Sequence, residues 1–155
     1  MPEEHHYETT VVWTGNRGEG TTSYTAYSRD HQLRITGKPS VDCSSDPAFR
    51  GDASKHNPEE LLVAALSSCH MLWYLHLCAI AGVVVSHYVD HARGQMKLEP
   101  GGSGRFTRVV LHPHVTITSG DPEIARSLHH EAHRMCFIAN SINFVVAVEP
   151  EVIEH

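Results

Sequence analysis

No two of the four cysteines, Cys43, Cys69, Cys78 and Cys136, form a CxxC pair, and they build no dense framework. That scarcity argues against a small disulfide-stapled fold. It suits a reducing compartment, where cysteines serve catalysis, metal binding or core packing. Excess positive charge is also missing. The net charge is -6 with histidine neutral, so there is no electrostatic footprint for nucleic acid or an anionic membrane. The opening residues, Met1-Pro2-Glu3-Glu4-His5-His6, are neither basic nor apolar. They carry no mark of a secretory signal, and the expected location is cytoplasmic. Internal repeats, linkers and low-complexity blocks are absent too, which leaves no division into modules.

What is present fits one domain over residues 1–155 with a core of useful size. The hydrophobic share is 41% and the charged share 19%, both ordinary for a globular protein. The 14 histidines are unusual, but they are spread along the chain without one clear ligand spacing.

The best-defined stretch runs from Asn57. Asn57 suits an N-cap and Pro58 the first helical position. Glu59 and Glu60 complement the dipole in the first turn. Apolar and small residues follow to Ala81, and Gly82 supplies a stop. The expected helix has roughly 24 residues and a length of about 36 Å. It is apolar nearly all round, which predicts burial in a core or a membrane. Glu59, Glu60, His70 and His76 argue against a bilayer span.

Around this helix the pattern predicts strands. Val11-Val12-Trp13 and Thr21–Tyr27 read as a hairpin across a Gly-rich turn, and His31–Thr36 as a third strand. Residues 37–56 read as a long irregular segment, a length that often marks function. Val83–Val89 is β-branched, and Asp90–Leu98 either extends that strand or pairs beside it. Residues 99–104 form a turn. Residues 106–118 alternate, with Val109, Leu111, Val115 and Ile117 on one face and Pro113 interrupting the ladder. Asp121-Pro122 starts a second helix that runs to about Cys136. Ser141–Val148 is a final strand. The order predicts an α+β fold.

Two cysteines stand out. Cys69 lies inside the long helix, on a mainly apolar face with Ala65 and Trp73. Cys136 ends the second helix after His129, His130 and His133. Reactive cysteine chemistry needs a thiolate, and a thiolate needs a nearby cation or strong donors. Arg50 and Arg17, both in loops, are the arginines on offer. Glu59 and Glu60 are the carboxylates that would hold such an arginine. His70 is either a second activating group or a satisfied polar residue. Glu59 lies ten residues before Cys69, about 15 Å along one helix. The two share a site only if the helix starts irregularly or a second subunit contributes. Cys78 is expected in the core. Cys43 is a loop thiol without an evident partner.

Asn57-Pro58-Glu59-Glu60-Leu61, the Ala- and Ser-rich run after it and Cys69 together resemble the signature of the OsmC/Ohr superfamily of osmotically induced and organic hydroperoxide resistance proteins. Ala132-His133-Arg134-Met135-Cys136 is similar to its second signature. The resemblance covers nearly the whole chain. It implies an α+β fold of antiparallel sheets around a long central helix, in an intertwined homodimer with two interfacial sites. It implies a thiol peroxidase that reduces organic hydroperoxides in oxidative stress defence. Cys69 would be the peroxidatic residue, Cys136 the resolving one, Arg50 or Arg17 the activating arginine and Glu59 its orienting carboxylate. Arg50 is favoured. No cofactor is implied beyond an external dithiol or lipoyl-type reductant. The chain departs from the family at Phe137 and Ala139, where proline and serine are usual. Two other classes compete. One is a Cys/His metal site built from His129, His133, Cys136 and Cys69, with His112 and His114 on a common strand face. The other is a small-molecule or lipid-binding module without turnover.

Overall fold

The computed structural model describes residues 2–155. The chain falls into two compact units, Met1–Leu61 and Leu62–His155.

The first unit carries one three-stranded antiparallel sheet of β1 (Thr10–Trp13), β2 (His31–Arg34) and β3 (Val41–Cys43). This corrects the expected hairpin. Thr10–Trp13 pairs with His31–Arg34, and residues 21–27 are turns. The local donors are already committed there. The Asn16 side chain accepts from the Gly18 and Gly20 N–H groups, and the Arg29 guanidinium donates to the Tyr24 and Tyr27 carbonyls at 2.8 Å each. That guanidinium also lies 4.5 Å and 4.0 Å from the Tyr24 and Tyr27 ring centroids. Gly15 permits the return of the loop, because a Cβ there would meet the Ser28 carbonyl oxygen at 2.0 Å. The segment expected to be irregular contains β3 and a 3-10 turn, Pro47–Phe49, capped by the Asp46 side chain. Cys43 is therefore not a loop thiol: it ends β3 and is buried.

Helix α1 spans Pro58–Ile80. Its start is a reciprocal cap. Asn57 Oδ1 accepts the Glu60 N–H at 2.9 Å, and Asn57 Nδ2 donates to Glu60 Oε1 at 2.8 Å. Burial along it is narrower than the composition predicted. Only Leu66, His70, Tyr74 and Cys78 are buried, one residue every four, while Leu72 is 60% and Ile80 71% exposed. The helix is long and apolar enough to cross a membrane by length and composition.

The second unit is built on one long hairpin whose arms both break. One arm is β4 (Val84–Asp90) and β5 (Arg93–Leu98); the other is β6 (Gly104–Leu111) and β7 (Pro113–Ser119). Pro113 has no N–H, so the ladder ends there. Asp90 reinforces the corner: Oδ1 accepts the His112 N–H and Oδ2 accepts the Ser67 hydroxyl of α1, both at 2.6 Å. Beyond the break β4 pairs with β7, and before it β5 pairs with β6. The expected alternation holds across the corner, since Val109, Leu111, Val115 and Ile117 are all buried.

The chain then forms α2 (Pro122–Met135), capped by the Asp121 side chain, and returns as β8 (Val145–Val148) and β9 (Glu151–Glu154). β9 was not foreseen. β8 runs parallel to β6 and β9 parallel to β7, so these two sheets are mixed rather than antiparallel. Two cores result. Tyr74 and Cys78 pack with Val115, Ile117, Ala125, Ala132 and Val152, whereas Leu66 packs with Val109 and Leu111.

Candidate functional site

The two helices deliver two of the three cysteines of the second unit, Cys69 and Cys136, to one place. Cys69 sits half-buried on α1, one position before the buried His70 stripe. Cys136 is the C-cap residue of α2 and is buried. It belongs to a stripe of Ala125, His129, Ala132 and Cys136, all buried at helical spacing. The turn after Cys136 wraps its sulfur. The Ala139 N–H donates to Cys136 Sγ at 3.4 Å and the Asn140 N–H to the Cys136 carbonyl at 3.0 Å. The Cys136 thiol is pushed up to about 11, chiefly by burial and also by contact with the Cys69 thiol, while the Ala139 N–H works the other way. Cys136 is thus protonated at neutral pH. Both cysteines are free thiols.

Beside this pair lies an apolar surface. Leu72, Trp73 and His76 line a shallow cavity of about 290 Å³. Phe137 is 65% exposed and meets the Trp73 ring edge-on at 5.4 Å. The aromatic that stands at Phe137 therefore contributes an apolar edge next to Cys136.

His70 does not supply a positive charge to Cys69. It is 1% exposed, its Nε2 lies 3.0 Å from His129 Nδ1, and the rings stack at 5.3 Å. Burial pushes His70 down to about 4 and His129 down to about 3. Both are neutral at pH 7, and one ring must donate to the other. His129 in turn stacks on Tyr74 at 3.8 Å, and the Tyr74 hydroxyl donates to the Ala125 carbonyl at 2.9 Å. The histidine pair was missed in the sequence. The four-residue spacing of Leu66, His70, Tyr74 and Cys78 was the signal that His70 points inward.

The other predicted site residues belong to the first unit. Arg50 follows the 3-10 turn with a left-handed φ of 65°, is exposed, and lies 5.8 Å from the Tyr24 ring centroid. Arg17 is exposed, and Glu59 is half-buried in the first turn of α1. None of the three forms an ion pair among the described residues. Cys78 is buried against Tyr74, and burial raises its pKa, as suits a core thiol. Of the proposed metal ligands, His129 spends Nδ1 on His70. His112 and His114 pair with Glu149 and Glu151 at 3.0 Å each. Among the described residues no group of three or more His, Cys, Asp or Glu is arranged to hold a metal ion.

A profile of the family described as OsmC-like protein matches residues 51–151. An OsmC-like protein of unknown function from Vibrio cholerae O1 biovar eltor is 32% identical; the match covers 96% of this chain and all of that one, with a TM-score of 0.86. Two further structures share the fold. An organic hydroperoxide resistance protein OsmC from Legionella pneumophila is 21% identical over 96% of this chain and 98% of its own, with a TM-score of 0.67. An organic hydroperoxide resistance protein from Elizabethkingia anophelis is 16% identical over both full chains, with a TM-score of 0.69. Comparison with curated proteins gives no match.

Proposed function

The chain belongs to the family of OsmC-like proteins, and from that premise we propose that it is a cysteine-based peroxidase that reduces organic hydroperoxides to alcohols. The observation that carries the reading is the meeting of two thiols from different elements, Cys69 from the middle of α1 and Cys136 from the C-terminal end of α2.

The chemistry balances with these two groups and an outside dithiol. The Cys69 thiolate attacks the terminal oxygen of the hydroperoxide. The O–O bond breaks, the alkoxide leaves and takes a proton as the alcohol, and Cys69 becomes a sulfenic acid. Cys136 then attacks the Cys69 sulfur. An S–S bond forms, and the hydroxyl leaves as water with the Cys136 proton. A dithiol or lipoyl-type reductant returns both cysteines to thiols and is itself oxidised. Because burial holds Cys136 as a thiol, it does not compete for the peroxide, and it reacts once a sulfenic acid is beside it. The surface of Leu72, Trp73 and Phe137 suits the organic group of the substrate.

Activation of Cys69 is assigned to Arg50, with Arg17 as the second choice, and orientation of the arginine to Glu59. α1 is regular from Pro58, so an irregular start does not shorten the path from Glu59 to Cys69. This favours a homodimer in which the second subunit completes each site. The exposed apolar residues Leu72 and Ile80 on α1 support the same assembly. The location assigned is the cytoplasm, where thiols stay reduced.

The test is consumption of cumene hydroperoxide with excess dithiothreitol by wild type, Cys69→Ser and Cys136→Ser. Turnover by wild type should vanish in Cys69→Ser. Cys136→Ser should still react once but form no Cys69–Cys136 disulfide by mass spectrometry. Absence of turnover by the reduced wild type would overturn the reading.

A further inference from the structure

A second cavity of the same unit, lined by neither Cys69 nor Cys136, has no part in the peroxidase reading. Its volume is about 250 Å³, and its wall is Arg126, His129, His130, His133, Val148 and Pro150. The wall contains no carboxylate. His129 is only 2% exposed, and its Nε2 has no hydrogen-bond partner. His133 Nδ1 and His70 Nδ1 are likewise buried without partners. A buried polar atom that gives up water and gains nothing is destabilising, and the two that belong to the wall, on His129 and His133, call for an occupant.

We propose that this cavity binds a small oxyanion, a phosphate or a short carboxylate, held by Arg126 and the Nε2–H of His129. The charge of the wall decides the sign of the ligand. Arg126 is permanently cationic and repels a metal ion from the same space. It pairs with Glu123, and its second amino group donates only at 3.5 Å to the Val152 carbonyl, leaving donor capacity for a ligand. The volume lies below the range of drug-sized sites, which limits the occupant to a few heavy atoms.

Binding has a consequence that a passive core histidine lacks. An oxyanion on His129 Nε2 requires the proton at that nitrogen. His129 Nδ1 is then the lone pair and accepts from His70 Nε2–H, across the 3.0 Å contact. Occupancy therefore sets the tautomers of both rings, including that of the residue following Cys69.

The experiment uses the full chain with 15N-labelled histidine, titrated with inorganic phosphate and, separately, malonate, against sodium chloride at matched ionic strength. Long-range 1H–15N spectra should show saturable, joint changes in the His129 and His70 rings. Whichever of phosphate or malonate binds more tightly identifies the source of the oxyanion. Arg126→Gln tests the site without touching the buried pair, because this side chain is 46% exposed. It should weaken binding by about tenfold, as expected for loss of one hydrogen bond to a charged group. The proposal fails if neither anion gives saturable changes at about 10 mM, a concentration that fills millimolar sites. It also fails if the changes are confined to exposed histidines such as His5, if Arg126→Gln binds as well as wild type, or if zinc alone produces the joint response.

Discussion

Lowering the pH from about 7 to about 5 should destabilise this protein through two residues, His70 and His129. Their folded pKa values, pushed down by burial to about 4 and about 3, lie below the ordinary histidine value. For His70, His133 nearby adds to the effect of burial and Asp90 opposes it. A group neutral when folded and protonated when unfolded favours unfolding in acid. The stability loss begins as pH falls through the unfolded pKa of about 6.5 and ends near the folded values. Between about pH 7 and pH 5 the unfolded histidines go from mostly neutral to almost fully protonated, while the folded pair stays mostly neutral. The loss is then about 2 kcal/mol per histidine and about 4 kcal/mol for the pair. Against a typical total of about 5–15 kcal/mol, that is a large share. The lowered carboxylates Asp30, Asp52 and Glu131 lose their contributions only as pH falls through their unfolded values, below this window. Urea unfolding at fixed protein concentration, followed by tryptophan fluorescence, measures the difference. The double variant His70→Leu, His129→Leu should flatten it. A wild-type loss below about 1 kcal/mol, or an unchanged loss in the double variant, would refute the reasoning.

Two more perturbations probe the scaffold. Asn57→Ala removes both halves of the α1 cap and should cost about 1–2 kcal/mol by urea unfolding; Asn57→Ser should recover most of it. Leu66→Ala empties a buried position against Val109 and Leu111 and should cost about 3–5 kcal/mol, with the midpoint moving and the denaturant slope unchanged.

The residues that mark local structure were readable directly. Asn57-Pro58 and Asp121-Pro122 start α1 and α2, because capping and proline chemistry act within one turn. The alternation about Pro113 placed the buried face and the break between β6 and β7. Cys69, Cys136 and the Asn-Pro-Glu run were enough to indicate the family to which the chain belongs.

Partners in space were not readable. Residues 21–27 have strand-like composition, yet β1 takes its hydrogen bonds from β2, and the Arg29 clamp holds the intervening loop. β9 was missed because a four-residue strand carries little periodicity, and its parallel place beside β7 is a long-range choice. The all-round apolar character of α1 predicted uniform burial, but composition does not say how many faces find neighbours. His70 and His129 are 59 residues apart and meet only because α1 and α2 both turn a stripe toward the same core. The sequence by itself determined which residues cap, turn and carry thiols, since those properties are local. The tertiary structure alone decided which of them touch, how deeply each is buried, and therefore which histidines stay neutral and which cysteine keeps its proton. Desolvation depends on what the rest of the chain places around a group.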